Sequence, residues 1–151
     1  MQRFHNILIP TDFSQAAWNA VQLGLSLACT ENSRITLLHV YPSSAKFTTS
    51  AKNANSKDDF NLKELYKDMN EFCDSLRKNS KSEIIPVVVR GKVEKEILTY
   101  LGENAFDMVI LGVNSNGTDN HPGSHVSAII EKANAPVLVI PNQLIPETIP
   151  A

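Results

Sequence analysis

The chain has no surplus of either charge: 14 Lys and Arg stand against 16 Asp and Glu, a net charge of -2, with a pI near 6.1. Its basic residues are scattered along the sequence instead of gathered on one stripe, so no electrostatic field for nucleic acid is expected. Cysteine is scarce as well. Cys29 and Cys73 each fall inside a helical pattern, with no Cys-x-x-Cys spacing and no neighbouring His, which argues against a zinc site or redox pair and leaves buried, reduced thiols. No apolar run reaches membrane-spanning length, and the opening MQRFHNILIP is too short in its apolar part for a secretory signal. A cytoplasmic protein with no membrane partner is expected. Missing too are the generic phosphate fingerprints, since no Gly-Lys-Ser/Thr follows a glycine and no GxGxxG occurs. Paired carboxylates at a catalytic spacing and a metal-ligating cluster are also lacking, so neither catalytic nor metal residues are assigned.

What the sequence does contain is an alternation of strand-like and helix-like runs. A chain of 151 residues should bury roughly two-thirds of its unfolded surface, enough for one domain without disulfide or metal staples. Ile7 to Ile9 reads as a first buried strand ended by Pro10, after which Ser14 can cap a helix carrying Ala17, Trp18, Val21, Leu25 and Ala28 on its apolar side. Ile35 to Val40 is a second strand. Leu62, Leu65, Met69, Phe72, Cys73 and Leu76 then recur every three or four residues, the mark of an amphipathic helix. Ile84 to Val89 is a third strand, and Gly91 turns the chain into a helix with Val93, Ile97 and Leu101 on one side. A fourth strand, Met108 to Leu111, precedes a glycine-containing loop; Val126, Ile129 and Ile130 mark a last helix, and Pro136 introduces a fifth strand, Val137 to Ile140.

Strict alternation implies parallel pairing, because each helix returns the chain to the same end of the sheet. The expected fold is a three-layer α/β/α sandwich whose ligand site lies at the carboxyl ends of the strands, where strand order reverses. The stretch DMVILGVNSNGTDNHPGSHV, residues 107 to 126, is the natural focus: a strand, a glycine loop and a helix start bring free backbone N–H groups together in the way phosphate cradles need. A plain surface connection is the alternative reading of the same residues.

At this point NILIPTDFS, LLHV, RGKVEKEIL, DMVILG and GSHVSAIIEKANAPVLVIP, in order and at natural spacings, together resemble the universal stress protein family. The resemblance implies an adenine nucleotide alpha hydrolase-like fold, with a five-stranded parallel sheet in the order 3-2-1-4-5. It also implies a stress-response module that binds ATP or another adenine nucleotide, with Mg. The residues that carry the implied nucleotide site are Pro10, Thr11, Asp12, Val40, Leu111, Gly112, Asn114, Ser115, Gly123 and Ser124. Asp12 corresponds to the family residue near adenosine, and Val40 to the one whose backbone meets adenine. An Asp ahead of a helix is equally explained by capping. Family members that bind ATP carry a glycine, two residues, a second glycine, nine residues, then glycine and Ser or Thr. Here Gly112 and the Gly123-Ser124 pair match, but Ser115 occupies the second glycine position and the loop is two residues shorter. The alternative is a dimeric interaction scaffold of the same fold without nucleotide, and an ATP-hydrolysing enzyme has the least support.

His39, inside an apolar strand, reads as a hydrogen-bonded core residue in preference to a catalyst, and His121 and His125 as loop surface near the motif. Ser124 lacks a recognisable His and carboxylate arrangement for nucleophilic work. Residues 1–141 are read as one domain, containing a mobile connection over 42–59 that can overhang the site as a lid, and residues 142–151 as a Pro-rich tail. In the implied strand order, Val137, Leu138, Val139 and Ile140 form an uncharged edge, which favours a homodimer built on strand five.

Overall fold

The computed structural model describes residues 4–28, 32–41, 57–78, 80–113 and 124–141. Strand β1 (Asn6–Pro10) leads to helix α1 (Gln15–Leu27), β2 (Arg34–Tyr41) to α2 (Lys57–Arg77), β3 (Glu83–Arg90) to α3 (Val93–Glu103), and β4 (Met108–Val113) to α4 (Ser124–Lys132); β5 (Val137–Pro141) closes the sequence of elements. All pairings are parallel, and the sheet order is β3-β2-β1-β4-β5. The order implied by the family resemblance is therefore the observed one.

Side chains alternate across this sheet and divide the core in two. Ile7, Ile9, Ile35, Leu37, Ile110 and Ile140 face α1 and α2, where they meet Ala20, Val21, Met69, Cys73 and Leu76. The intervening Leu8, Leu38, Val40, Val109 and Leu111 face α3 and α4, and pack with Ile97, Leu101 and Ile129. Both faces being covered explains why strands such as VILG and PVLVI need no polar side. The helix after β1 lies on the opposite face from the helix after β4. Their strands are neighbours, so a crevice opens between their carboxyl ends.

Local chemistry sets the element boundaries. Ser14 Oγ accepts the Ala17 N–H at 3.2 Å and caps α1 as its sequence position suggests. Gly91, at φ 153°, turns β3 toward α3 and donates its N–H to Tyr41 O at 2.9 Å. The expected connection over 42–59 is shorter at its far end, because Lys57 to Asp59 belong to α2; residues 42–56 lie outside the described residues, as do Cys29 and 142–151. Ile130, grouped with the apolar marks of the last helix, is 48% exposed, while Ile129 beside it is 1% exposed. Burial pushes the Cys73 thiol above its usual range, against a smaller opposing pull from the Arg77 charge.

At the amino ends of the strands Asp107 works as a clamp. Its Oδ2 accepts the backbone N–H groups of His5 and Asn6, each at 2.9 Å. Asp107 N–H in turn donates to Asn6 O at 2.8 Å, and the Asn6 side-chain amide donates to Ala105 O. These bonds tie the start of β1 to the start of β4 and fix the register that places their far ends side by side. Asp107→Ala should cost about 1 kcal/mol in urea unfolding, the usual net value of hydrogen bonds of this kind when they are partly solvated. An unchanged midpoint would show that the clamp is idle.

Candidate functional site

A cavity of about 250 Å³ occupies the crevice at the carboxyl ends of β1 and β4. Pro10, Thr11 and Asp12 form one wall, Leu111, Gly112 and Val113 the opposite one, and Leu38 and Val40 the floor. Val93 and Ile97 of α3 and Val126 and Ile129 of α4 close it from the side. Most of this lining is apolar and branched. Asp12 is the one charged residue among the described lining residues.

The Thr11–Ser14 turn between β1 and α1 is held by several short bonds. Thr11 N–H donates to Leu38 O at 2.8 Å, extending the parallel ladder one step past Pro10. Thr11 Oγ1 accepts the Phe13 N–H at 3.1 Å, and Asp12 Oδ1 accepts the Ser14 N–H at 2.9 Å. Phe13 sits at φ 64°, a left-handed conformation that costs a bulky residue about 1–2 kcal/mol and persists only where the surroundings enforce it. Asp12 thus has a local structural task, as a residue ahead of a helix should. Its side chain is exposed at the cavity mouth, and a carboxylate retains further acceptor capacity after one bond.

Gly112 has a requirement of its own. A Cβ built there would lie 2.2 Å from Ala16 O and 2.8 Å from Ala17 N, so α1 rests directly against the backbone of β4. The sequence reading gave Gly112 to phosphate binding, and packing against α1 is an independent reason for glycine at that position.

The structure brings together six of the expected site residues: Pro10, Thr11, Asp12, Val40, Leu111 and Gly112. Asn114, Ser115 and Gly123, with His121, lie outside the described residues, and Ser124 is described only as the first residue of α4. The cavity is also lined by Leu38, Val93, Ile97, Val113, Val126 and Ile129, which were not among the candidate site residues read from the sequence. Apolar periodicity assigns most of them to the core. The clue lay in position: each stands in the first turns of a helix that follows a strand, or at a strand's carboxyl end, which is the end that carries ligands in such sheets.

A second, larger recess of about 540 Å³ lies at the opposite end of the sheet, lined by His5, Asn6, Asn32, Ser33, Arg34, Lys81 and Glu83. Arg34 and Glu83 there pair with each other at 3.2 Å, and Lys81 is a further charged lining residue. Two oxygens there, Asn6 Oδ1 and Ser33 Oγ, lack hydrogen-bond partners among the described residues and are sealed from solvent. Among the described residues no group of three or more His, Cys, Asp or Glu side chains is placed to hold a metal ion, and no helix is long and apolar enough to cross a membrane.

A family model described as the universal stress protein family matches residues 3–141. No curated protein sequence matches significantly. Among solved structures, the hypothetical protein MJ0577 is similar with a TM-score of 0.73 and 24% identity, over 95% of this chain and 100% of the other. A universal stress protein in complex with cAMP is similar at a TM-score of 0.66 and 16% identity, over 94% of this chain and 100% of the other. A universal stress protein family protein from Arabidopsis thaliana with AMP bound gives 0.67 and 17%, over 97% of this chain and 96% of that one. At these identities the structural likeness speaks for the fold.

The close approach at Gly112 has a measurable consequence. Gly112→Ala should destabilise the protein by about 3 kcal/mol, since the added methyl meets backbone that has no rotamer to escape into. Denaturant unfolding decides this, and a loss under about 0.5 kcal/mol, the range of a neutral surface change, would show that α1 can slide away freely.

Proposed function

This chain belongs to the universal stress protein family, and from that premise we propose that it is a stress-response module that binds an adenine nucleotide in the cavity between the carboxyl ends of β1 and β4. The observation that carries the reading is the composition of that cavity: an apolar slot of nucleoside scale, with one carboxylate at its mouth and a helix start at its edge. Val40, Ile97, Leu111 and Ile129 offer branched surface to a flat base, and the end of β2 supplies backbone groups for its polar edge. Asp12 is an acceptor suited to ribose hydroxyls. Helix α4 begins at Ser124 with no acidic residue in its first turn, and Val126 of that turn reaches the cavity. The free N–H groups and positive end of a helix favour a phosphate there. The neighbours bound to cAMP and AMP support adenine nucleotides as the class to try first.

Under the same proposal Asn114, Ser115, Gly123 and Ser124 contribute to the phosphate side. Mg enters with ATP, held mainly by the phosphates, because Asp12 is the one carboxylate among the described lining residues. Titration calorimetry with AMP, cAMP and ATP plus Mg should give dissociation constants from about micromolar to millimolar, roughly -8 to -4 kcal/mol. Val126→Trp should fill the slot and weaken binding at least about tenfold, a change of about 1.4 kcal/mol, with thermal stability retained. Undiminished binding by the Trp variant would place the nucleotide elsewhere.

We also propose a homodimer through β5. The two edges of the sheet differ: β3 carries Pro86 in mid-strand and charged Glu83 and Arg90 at its ends, which blunt it, whereas Val137, Leu138, Val139 and Ile140 present an uninterrupted apolar edge. Twofold pairing of two β5 strands satisfies their open N–H and C=O groups. Val139→Lys should convert the protein to monomer in light scattering at concentrations on the order of tens of micromolar, where dimerisation is governed by mass action. A wild-type chain that scatters as a monomer there would refute the dimer.

A further inference from the structure

His39 lies on the face of β2 opposite the cavity, while its neighbours Leu38 and Val40 line that cavity. Its ring reaches the β1–α1 turn from behind. His39 Nδ1 is 2.7 Å from Thr11 O, and because a carbonyl can only accept, the proton resides on Nδ1 and His39 is the donor. Thr11 is 5% exposed and forms part of the cavity wall. The same ring stacks on Phe13, with centroids 4.8 Å apart and planes at 36°. Phe13 is the residue held at φ 64°, and it meets Phe72 of α2 edge-on at 5.9 Å, which in turn meets Trp18 of α1 at 5.4 Å.

We propose that His39 is a positioning residue for the nucleotide cavity: its Nδ1–H fixes the Thr11 carbonyl, and its ring fixes Phe13, so that Asp12 between them is presented at the cavity mouth. The role rests on the reading of that cavity as an adenine-nucleotide site. Thr11 is gripped at both its backbone groups by consecutive residues of β2, since its N–H donates to Leu38 O and its carbonyl accepts the His39 Nδ1–H. Without the second bond the carbonyl is a buried acceptor with no partner, and the left-handed Phe13 loses one of the contacts that enforce it. The turn then relaxes, and the Asp12 carboxylate samples positions that do not meet a ribose.

Two substitutions separate the donor from the ring. His39→Asn keeps an amide donor close to the place of Nδ1 and removes the aromatic surface, and His39→Phe does the reverse. With AMP as the probe and the full chain as the protein, His39→Phe should bind about tenfold more weakly than wild type, the loss expected for one buried hydrogen bond. His39→Asn should bind within about threefold of wild type, by the same conversion. Long-range ¹H–¹⁵N spectra of the wild type should show the Nδ1–H tautomer of His39. The proposal is overturned if the tautomer is Nε2–H, if a folded His39→Phe binds AMP as wild type does, or if a folded His39→Asn loses as much as His39→Phe. Should His39→Phe fail to fold, the Asn variant and the tautomer still decide. If wild type itself does not bind AMP, the nucleotide reading fails separately. The brace is then tested in ligand-free protein by the amide shifts of Thr11, Asp12 and Phe13, which His39→Phe must move and His39→Asn must largely restore; shifts unmoved by both variants would overturn it.

Discussion

The contact on which the rest of this structure depends is the backbone-to-backbone approach of α1 to β4 at Gly112. A methyl group there would overlap Ala16, and the facing surface of the helix is built from Ala16, Ala17 and Ala20, all buried. Small residues on both sides let the helix lie flat on the sheet. Gly24 continues the same row, since a Cβ at that position would stand 2.7 Å from Ile9 Cδ1. Close approach gains dispersion contacts along the whole row, and it also fixes where the helix must start relative to the strand before it. Few residues then separate Pro10 from Gln15. The turn is forced to be tight, and Phe13 adopts its left-handed conformation inside it.

Tightness in that turn is what gives the cavity a defined wall. The amino ends of β1 and β4 are tied by Asp107, their carboxyl ends are splayed by helices leaving to opposite faces, and the turn hangs over the gap between them. The wall is held from below by Leu38 O and from behind by His39, both on β2. Three strands therefore define one small surface. Val93 and Ile97 of α3 and Val126 and Ile129 of α4 close the cavity from the side. The core residues that line the cavity, Leu38, Val40, Ile97, Leu111 and Ile129, all belong to one half of the core, while His39 and Phe13 support its wall from the other half.

Much of this was legible before any coordinates. Strands two, four and five were visible as branched apolar runs, and the helices as recurring apolar positions, because burial on both faces of a parallel sheet leaves that pattern in any sequence. The site was partly legible. Pro10, Thr11, Asp12, Val40, Leu111 and Gly112 follow from strand ends and a family pattern, and they converge on one cavity. The helical half of the cavity was hidden, since periodicity shows that Ile97 and Ile129 point inward but not how far their helices extend beyond the sheet. His39 was legible as a hydrogen-bonded residue, but its partner was not. A histidine in a strand reads as a core residue, and its partner Thr11 is joined to it only through strand register. The start of α2 was missed because Lys57 and Asp58 carry no apolar signal, although negative charge near a helix start is favourable.

Gly112 shows how a motif residue can answer to two constraints at once. Phosphate binding asks for glycine where backbone must approach a ligand, and the helix contact asks for it where backbone must approach Ala16. The second requirement acts whether or not a nucleotide is ever bound, so the presence of this glycine follows from the fold by itself. Weight for nucleotide recognition consequently passes to features that packing does not demand. An open apolar slot is one, because a core with no ligand would gain by filling it. The exposed position of Asp12 at its mouth is another, since the bond to the Ser14 N–H needs only one of its oxygens. The strain at Phe13 is not a third, because helix packing already forces the turn to be tight; the bent turn is kept in place by hydrogen bonds and ring contacts that converge on the wall of the cavity, and it is through them that packing and the cavity wall are tied together.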